Sequence, residues 1–387
     1  MKAICIECAK EPHLKKKIKI EGATQTCFMC EKKGLAVDFE KNDFFQLVKA
    51  LVRFHYSEWE YNGHLGGDGY ESLFYGSDNI FFEFDRAVSV EVYEELVGFI
   101  TDGDVYETYE KGISIFAGYG EGDLQNMPLR AIKSDMDRSL IKISNRLKTE
   151  NYFHVEHAVK AILEKYISVA ERKITEKKYF FRARVGYKEE KNSMESGFEM
   201  EAHYLPYSED QIGAPLPNIA TSGRINRPGV SYLYCATDKH TAISEVRPHP
   251  GDHVSIGKFD LKRDVRLYDL SESQLLHFSG NDKDLDNYIP FNTLGSMINK
   301  PIPPSKNQHY SITQSIADCI RQLGFDGIFF SSTVGSGYNV VFYDHRLATY
   351  NPDEAEVVEV TKVKYDYQSK PSIVGDGFYM EKGELEL

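Results

Sequence analysis

Four cysteines near the amino terminus constrain this chain more than any other feature. Cys5-x-x-Cys8 and Cys27-x-x-Cys30 form two knuckles separated by eighteen residues. Two such knuckles can bring four thiolates onto one tetrahedral ion. Zn²⁺ suits soft sulfur ligands and brings no redox chemistry, so the spacing predicts a zinc site on Cys5, Cys8, Cys27 and Cys30. The alternatives are free thiols, two redox dithiols or an iron–sulfur cluster. A redox dithiol belongs near a βαβ pattern, and none is legible here. Four cysteines leave no open position for water, so the ion would be structural. A segment this short has little core and draws its folding energy from the metal.

Charge also sets the segment apart. Residues 1–35 carry eight lysines against four glutamates, a net +4, while the whole chain is at −13. We read residues 1–36 as a small zinc-ribbon-like module. Its Lys-rich middle, with Ile18 and Ile20 alternating, reads as a hairpin between the knuckles. The net charge of −13 argues against a general nucleic-acid coat; only the basic module permits a nucleic-acid contact. At about 150 residues per domain, the length implies two or three domains. No apolar run reaches the ~18 residues of a membrane helix, and the start lacks the apolar stretch of a signal peptide. The chain therefore reads as cytoplasmic, without membrane contact. Cys235 and Cys319 read as buried hydrophobes.

Residues 37–176 read as a helical domain. Apolar stripes at helical spacing run over Asp43–Trp59, Ser89–Ile100 and His154–Ile174, and Ser134 is placed to cap a further helix. Gly63–Gly69 and Gly118–Gly122 read as loops. The pattern changes near Lys178. Strands are expected at Tyr179–Val185, Tyr232–Ala236, His253–Phe259, Gly327–Ser331 and Asn339–Tyr343, with short helices at His240–Arg247 and Ser311–Leu323. Pro301–Pro304 reads as an extended connector, and residues 367–387 as a tail. The fold class is α+β of mixed order, with no internal repeat.

Several familiar sites are absent. The glycines around Gly120 have the wrong spacing for a dinucleotide loop. His154 and His157 lack a third ligand, and Asp282, Asp284 and Asp286 lack the glycine and distal glutamate of a calcium loop. We read those aspartates as a solvated acidic segment. Three other segments stand out. Phe180–Val185 sets Arg182 and Arg184 two apart on an apolar strand, sharing one face if the strand is regular. Gly223-Arg224-Ile225-Asn226-Arg227-Pro228-Gly229 leads into Tyr232–Ala236 and a short apolar helix that contains Glu245. Phe330-Ser331-Ser332 precedes Asn339 at the start of the last strand. A buried Arg needs an anionic partner, from the protein or from a ligand. Residue types alone leave open whether Glu245 pairs with an Arg or faces a ligand.

These spacings resemble the RES-domain family, named for its Arg, Glu and Ser. The pattern Gly-Arg-x-Asn-x-x-Gly, then Leu-Tyr-x-Ala, then Glu-Val eleven residues after that Tyr, falls on Gly223, Arg224, Asn226, Gly229, Tyr234 and Glu245. The leading Arg matches Arg182, and spacing to Asn339 favours Ser331 over Ser332 as the serine. The resemblance covers about residues 178–350, inside a catalytic domain drawn at 177–366. It departs at Ile225, where the family often has an aromatic, and in insertions around 188–215 and 272–310. Some longer members of the family carry a helical segment related to the HEPN group ahead of the RES domain, and residues 37–176 are expected to be such a HEPN-like helical segment. The Arg and His of HEPN nucleases have no convincing copy in residues 38–176, so that region is assigned no RNase activity.

The resemblance implies an ADP-ribosyltransferase-like fold that takes NAD⁺ as substrate. It implies a toxin-like or defence enzyme that cleaves the nicotinamide–ribose bond, with phosphorolysis favoured over hydrolysis. Inorganic phosphate and an antitoxin or regulatory protein are the further partners implied, and a homo-oligomer is allowed. Arg182, Tyr234, Glu245 and Ser331 become the catalytic candidates; Arg184, Gly223, Arg224, Asn226, Ser332 and Asn339 become the NAD⁺-binding candidates. The alternatives are a non-catalytic NAD⁺ or ADP-ribose binder, and a transferase acting on a macromolecule. The long amino-terminal half, absent from short toxins, is expected to restrain or direct the enzyme.

Overall fold

The computed structural model describes residues 2–57, 60, 73–75, 79–101, 130–194, 200–271, 274–300, 310–367, 369–370 and 372. The glycine-rich loops, the Pro301–Pro304 connector and nearly all of the tail lie outside them.

The amino-terminal segment builds a three-stranded antiparallel sheet and one helix. The strands are β1 (Ala3–Cys5), β2 (Ala23–Thr26) and β3 (Lys33–Asp38), in the order β1-β3-β2. Helix α1 (Pro12–Glu21) stands where a hairpin was expected. Its start signals outweigh the alternation of two isoleucines. Pro12 occupies the first turn, and the Glu11 carboxylate accepts from the His13 and Leu14 amides. Leu14, Lys17 and Ile18 then bury one face at helical spacing, with Ile18 at 0% exposure and Ile20 at 66%.

Helices α2 (Asn42–His55), α3 (Val90–Thr101), α4 (Arg138–Arg146), α5 (Phe153–Glu164) and α6 (Ile167–Ala170) follow. Asp137, not Ser134, caps α4 by accepting from the Leu140 amide. The helix expected through Ile174 ends earlier, and its last four residues form strand β4 (Glu171–Ile174). Tertiary pairing wins there over local pattern. Arg172 on β4 meets the buried Asp269 carboxylate at 2.7 Å.

The carboxy-terminal region adds β5 (Tyr179–Val185), β6 (Glu189–Met194), β7 (Met200–Leu205), β8 (Leu233–Ala236), α7 (Lys239–Val246), β9 (His253–Leu261), β10 (Val265–Asp269), α8 (Asp282–Asn299), α9 (Ser311–Gln322), β11 (Gly327–Ser331), β12 (Tyr338–Phe342) and β13 (Ala348–Glu359). Eight strands form one sheet in the order β13-β9-β5-β8-β12-β11-β10-β4, and β6 and β7 make a separate hairpin. Within the large sheet only β10 and β11 run parallel. The fold is α+β, as the sequence implied. Residues 282–286 open α8, where the Asn281 side chain accepts from the Asp284 amide.

The buried core does not part at residue 36 or at residue 176. One continuous cluster joins Ile4, Leu14 and the four cysteines to Leu51, Leu96, Leu140, Val159 and Leu163, and on to Tyr268, Phe291, Ile316, Phe330 and Val341. Polar contacts cross the same seam. The Tyr268 hydroxyl donates to the Leu163 carbonyl at 3.0 Å, and that of Tyr166 to Asn287 at 2.8 Å. The Asp137 amide donates to the Thr293 hydroxyl at 2.9 Å. Helix α8, inside the 272–310 insertion, thus fastens the helical region to the sheet. Among the described residues no helix is long and apolar enough to cross a membrane.

Candidate functional site

The sheet opens between β5 and β8. These strands share a single register pair, Phe181↔Ala236, whereas β5 pairs with β9 along its whole length. Arg182 fills the place of the missing ladder: its Nη1 donates to the Tyr234 carbonyl at 2.8 Å. A cavity of about 410 Å³ lies here, lined in part by Arg182, Arg224, Tyr234, Glu245, Arg247 and Asn339. Its walls are apolar where Phe181, Ala236, Ala242 and Phe330 reach it.

Glu245 comes from the last turn of α7, which Asp238 caps by accepting from the Thr241 amide at 2.7 Å. Two donors fix one of its oxygens. Ser332 Oγ gives a hydrogen bond of 2.8 Å and Asn339 Nδ2 one of 2.6 Å, both to Oε1. The serine that reaches Glu245 is therefore Ser332, where spacing had favoured Ser331. Strand alternation explains the difference. Phe330 lines the cavity and pairs with Asn339, so its side chain shares a face with position 332, while Ser331 follows Phe329 onto the opposite face. Ser332 Oγ also accepts from the Val334 and Gly335 amides, at 3.2 and 2.9 Å, which hold it in a tight turn.

Three arginines line the same cavity as this carboxylate. Arg182 carries a fully buried Nε without a partner, and burial lowers the pKa of its guanidinium by stripping solvent from the charge. Arg224 donates from Nη1 to the Ile298 carbonyl at 2.9 Å. Arg247, an exposed residue, lines the cavity from the end of α7 in a left-handed conformation, φ 51°, a position that usually takes glycine. None of the three makes an ion pair with a described residue. The cavity therefore carries more positive than negative charge, which suits an anionic ligand.

Three of the sequence candidates have other work. Arg184 does not share the cavity with Arg182: it donates to the Gln211 carbonyl and lies over the Tyr207 ring at 4.9 Å. Asn226 is buried and organises its own loop, donating from Nδ2 to the carbonyls of Thr221, Arg227 and Val230. Its Oδ1 accepts from the Tyr234 hydroxyl at 2.7 Å. Gly223 is required by that packing, since a Cβ there would come within 2.4 Å of Asn226 Oδ1 and 2.9 Å of the Tyr234 oxygen. With its hydroxyl engaged, Tyr234 offers the cavity its ring, and burial pushes its pKa up.

The sequence reading missed the support from α9. Gln314 Nε2 donates to the Gly223 and Asn226 carbonyls at 2.8 and 3.0 Å, and Thr313 Oγ1 donates to the Arg224 carbonyl. Neither residue belongs to a motif, so only packing reveals them.

The cysteines converge as their spacing required. All four are buried, and their sulfurs lie within 4.8 Å of one another. Cys5 Sγ and Cys30 Sγ are 3.8 Å apart. Metal–sulfur bonds of ~2.3 Å in a tetrahedron set sulfurs about 3.8 Å apart, so the cluster fits a metal ion. Arg86, absent from the sequence reading, reaches this cluster: a hydrogen bond to Cys8 holds its guanidinium above its ordinary pKa. A cation beside the sulfurs favours their thiolate form.

Residues 201–366 match a family model described as "RES domain". The match begins after β5, so Arg182 stands outside it although it lines the same cavity as Glu245. Among solved structures, the M. tuberculosis MbcT–MbcA toxin–antitoxin complex is similar over 52% of this chain and 92% of that one. The identity there is 12% and the TM-score 0.30; a likeness that loose carries no argument. No curated protein matches the chain.

Proposed function

We propose that the RES region cleaves NAD⁺ between nicotinamide and ribose, on an ADP-ribosyltransferase-like fold, with phosphate favoured over water as acceptor. One observation carries this reading: a cavity lined by three arginines, none in an ion pair with a described residue, and by a single carboxylate fixed by Ser332 and Asn339.

Nicotinamide leaves as a neutral base, so the departing group needs no acid. Positive charge grows on the ribose, as in glycoside cleavage. Glu245 is positioned to stabilise that charge. Its Oε1 is occupied by Ser332 and Asn339, which aims the carboxylate before the ribose arrives. Ser332 and Asn339 are then positioning residues. Arg182 and Arg224 hold the diphosphate through charge-assisted bonds, and the Tyr234 ring walls the nicotinamide. Arg247, exposed and two residues from Glu245, is available to an incoming anion.

The direct test is to incubate the purified chain with NAD⁺, with and without inorganic phosphate, and weigh the products. ADP-ribose 1″-phosphate is expected when phosphate is present. ADP-ribose alone would make the enzyme a hydrolase, and no release of nicotinamide would refute the reading. Arg182→Ala is expected to raise the Kd for NAD⁺ through loss of ~2–3 kcal/mol of charged hydrogen bonding, with a smaller effect on kcat. Isothermal titration against NAD⁺ checks it.

We further propose that the four cysteines hold Zn²⁺ as a structural ion. Metal analysis should find one zinc per chain. Cys27→Ser should release it and lower the melting temperature of the whole chain, because the site belongs to the shared core. Iron in place of zinc, or an unchanged melt, would contradict this.

A further inference from the structure

The loop that carries Arg224 is held from a side that lies outside the RES match. Arg227, three residues along, presents its guanidinium to two partners. Its Nε donates to Asp318 Oδ2 on α9 at 2.8 Å, and its Cζ lies 3.8 Å from the centre of the Tyr152 ring. Tyr152 immediately precedes α5, in the helical region. The same joint is closed by α5 itself. The Gln322 side chain donates to the Glu156 carboxylate, and the Cys319 thiol to the Glu156 carbonyl at 3.6 Å.

We propose that Tyr152 is a positioning residue for the NAD⁺ site, clamping Arg227 so that the 221–230 loop sets Arg224 at the cavity. This rests on the function proposed above. The loop has few means of holding itself. Gly229 turns it with φ +79°, and Asn226 ties it internally. Outside it, Thr313, Gln314 and Asp318 of α9, the Ile298 carbonyl, the Tyr234 hydroxyl and the ring of Tyr152 hold it, and of these only Tyr152 lies in the helical region before the sheet. Arg227 Nη2 is buried without a hydrogen-bond partner, so the face of that ring is what receives this edge of the charge. Removing the ring leaves a cation facing a void and frees the loop to shift. Arg224 shifts with it, while Glu245, fixed by β11 and β12, stays in place. The expected signature is therefore a binding defect without a defect in chemistry.

The test uses the full chain. Tyr152→Ala should raise the KM for NAD⁺ about two- to thirty-fold, the range of a single cation–π contact, with kcat within twofold. Tyr152→Phe keeps the ring and should keep the wild-type KM. Tyr152→Ala combined with Arg227→Ala should be no worse than Arg227→Ala alone. Hydrogen exchange over residues 221–230 should quicken in Tyr152→Ala and not in Tyr152→Phe. An unchanged KM and unchanged exchange in Tyr152→Ala, or a Tyr152→Phe variant as impaired as Tyr152→Ala, would overturn the proposal. Wild-type protein inert toward NAD⁺ would instead remove the functional reading, and the exchange comparison would still decide whether Tyr152 holds the loop.

Discussion

Glu245→Gln is expected to lower kcat for NAD⁺ cleavage about 10²–10³-fold, the scale on which preorganised charge stabilises a transition state. The KM should change little, because the developing charge on ribose exists only in the transition state. Glutamine still presents an oxygen to Ser332 and Asn339, so the local structure should survive. The two serines then separate by position. Ser332→Ala removes a hydrogen bond to a charged group and should cost about tenfold or more in kcat. Ser331→Ala, on the opposite face of β11, should stay within twofold. Stopped assays of nicotinamide release on the three variants check this. Full activity in Glu245→Gln would remove the carboxylate from the mechanism.

The contrast between those serines marks the limit of what could be read from sequence. Arg182, Glu245 and Asn339 were legible because each sits in a motif of fixed spacing, and the structure brings them to one cavity. The choice between Ser331 and Ser332 turned on which face of a strand points inward. That depends on sheet pairing, and an offset of one residue reverses it. Arg184 looked equivalent to Arg182 by alternation. It differs because β8 leaves β5 after one pair, and a gap between strands far apart in sequence has no local signature. Gly223 and Asn226 were recognised as a motif, and the contacts they make are within their own loop and with Tyr234. The α+β class followed from periodicity. Helix α1 and strand β4 were misread where a cap and a distant ion pair overrode pattern.

Expression of residues 178–387 alone is expected to give insoluble or unfolded protein. The amino-terminal half was expected to restrain or direct an otherwise independent enzyme, but the core runs through both parts. Leu140, Ile143, Val155, Val159, Leu163 and Tyr166 all lie in the cluster that includes Tyr268, Ile316 and Phe330. Burying six such side chains stabilises by roughly 9–18 kcal/mol at ~1.5–3 kcal/mol each, an upper figure, since unfolded chains are partly compact. That is comparable to the ~5–15 kcal/mol total stability of a typical domain. The fragment would also lose β4, leaving β10 as an edge and Asp269 without its Arg172 ion pair. Circular dichroism and gel filtration of the fragment beside the full chain decide it. A folded, monomeric fragment with rapid NAD⁺ turnover would restore the separable arrangement and the in-chain restraint it implies.

The strand order bears on when activity can first arise during synthesis. Asn339 lies on β12, between β8 and β11 in the interior of the sheet, yet it is made after both of those strands. A nascent chain stopped before that point has Glu245 without its Asn339 donor, and β8 and β11 without the strand that joins them. Pairings that span so much sequence form late. If the proposed chemistry holds, products terminated before residue 339 should be harmless to the cell's NAD⁺ pool, because Glu245 is not yet held by both of its donors.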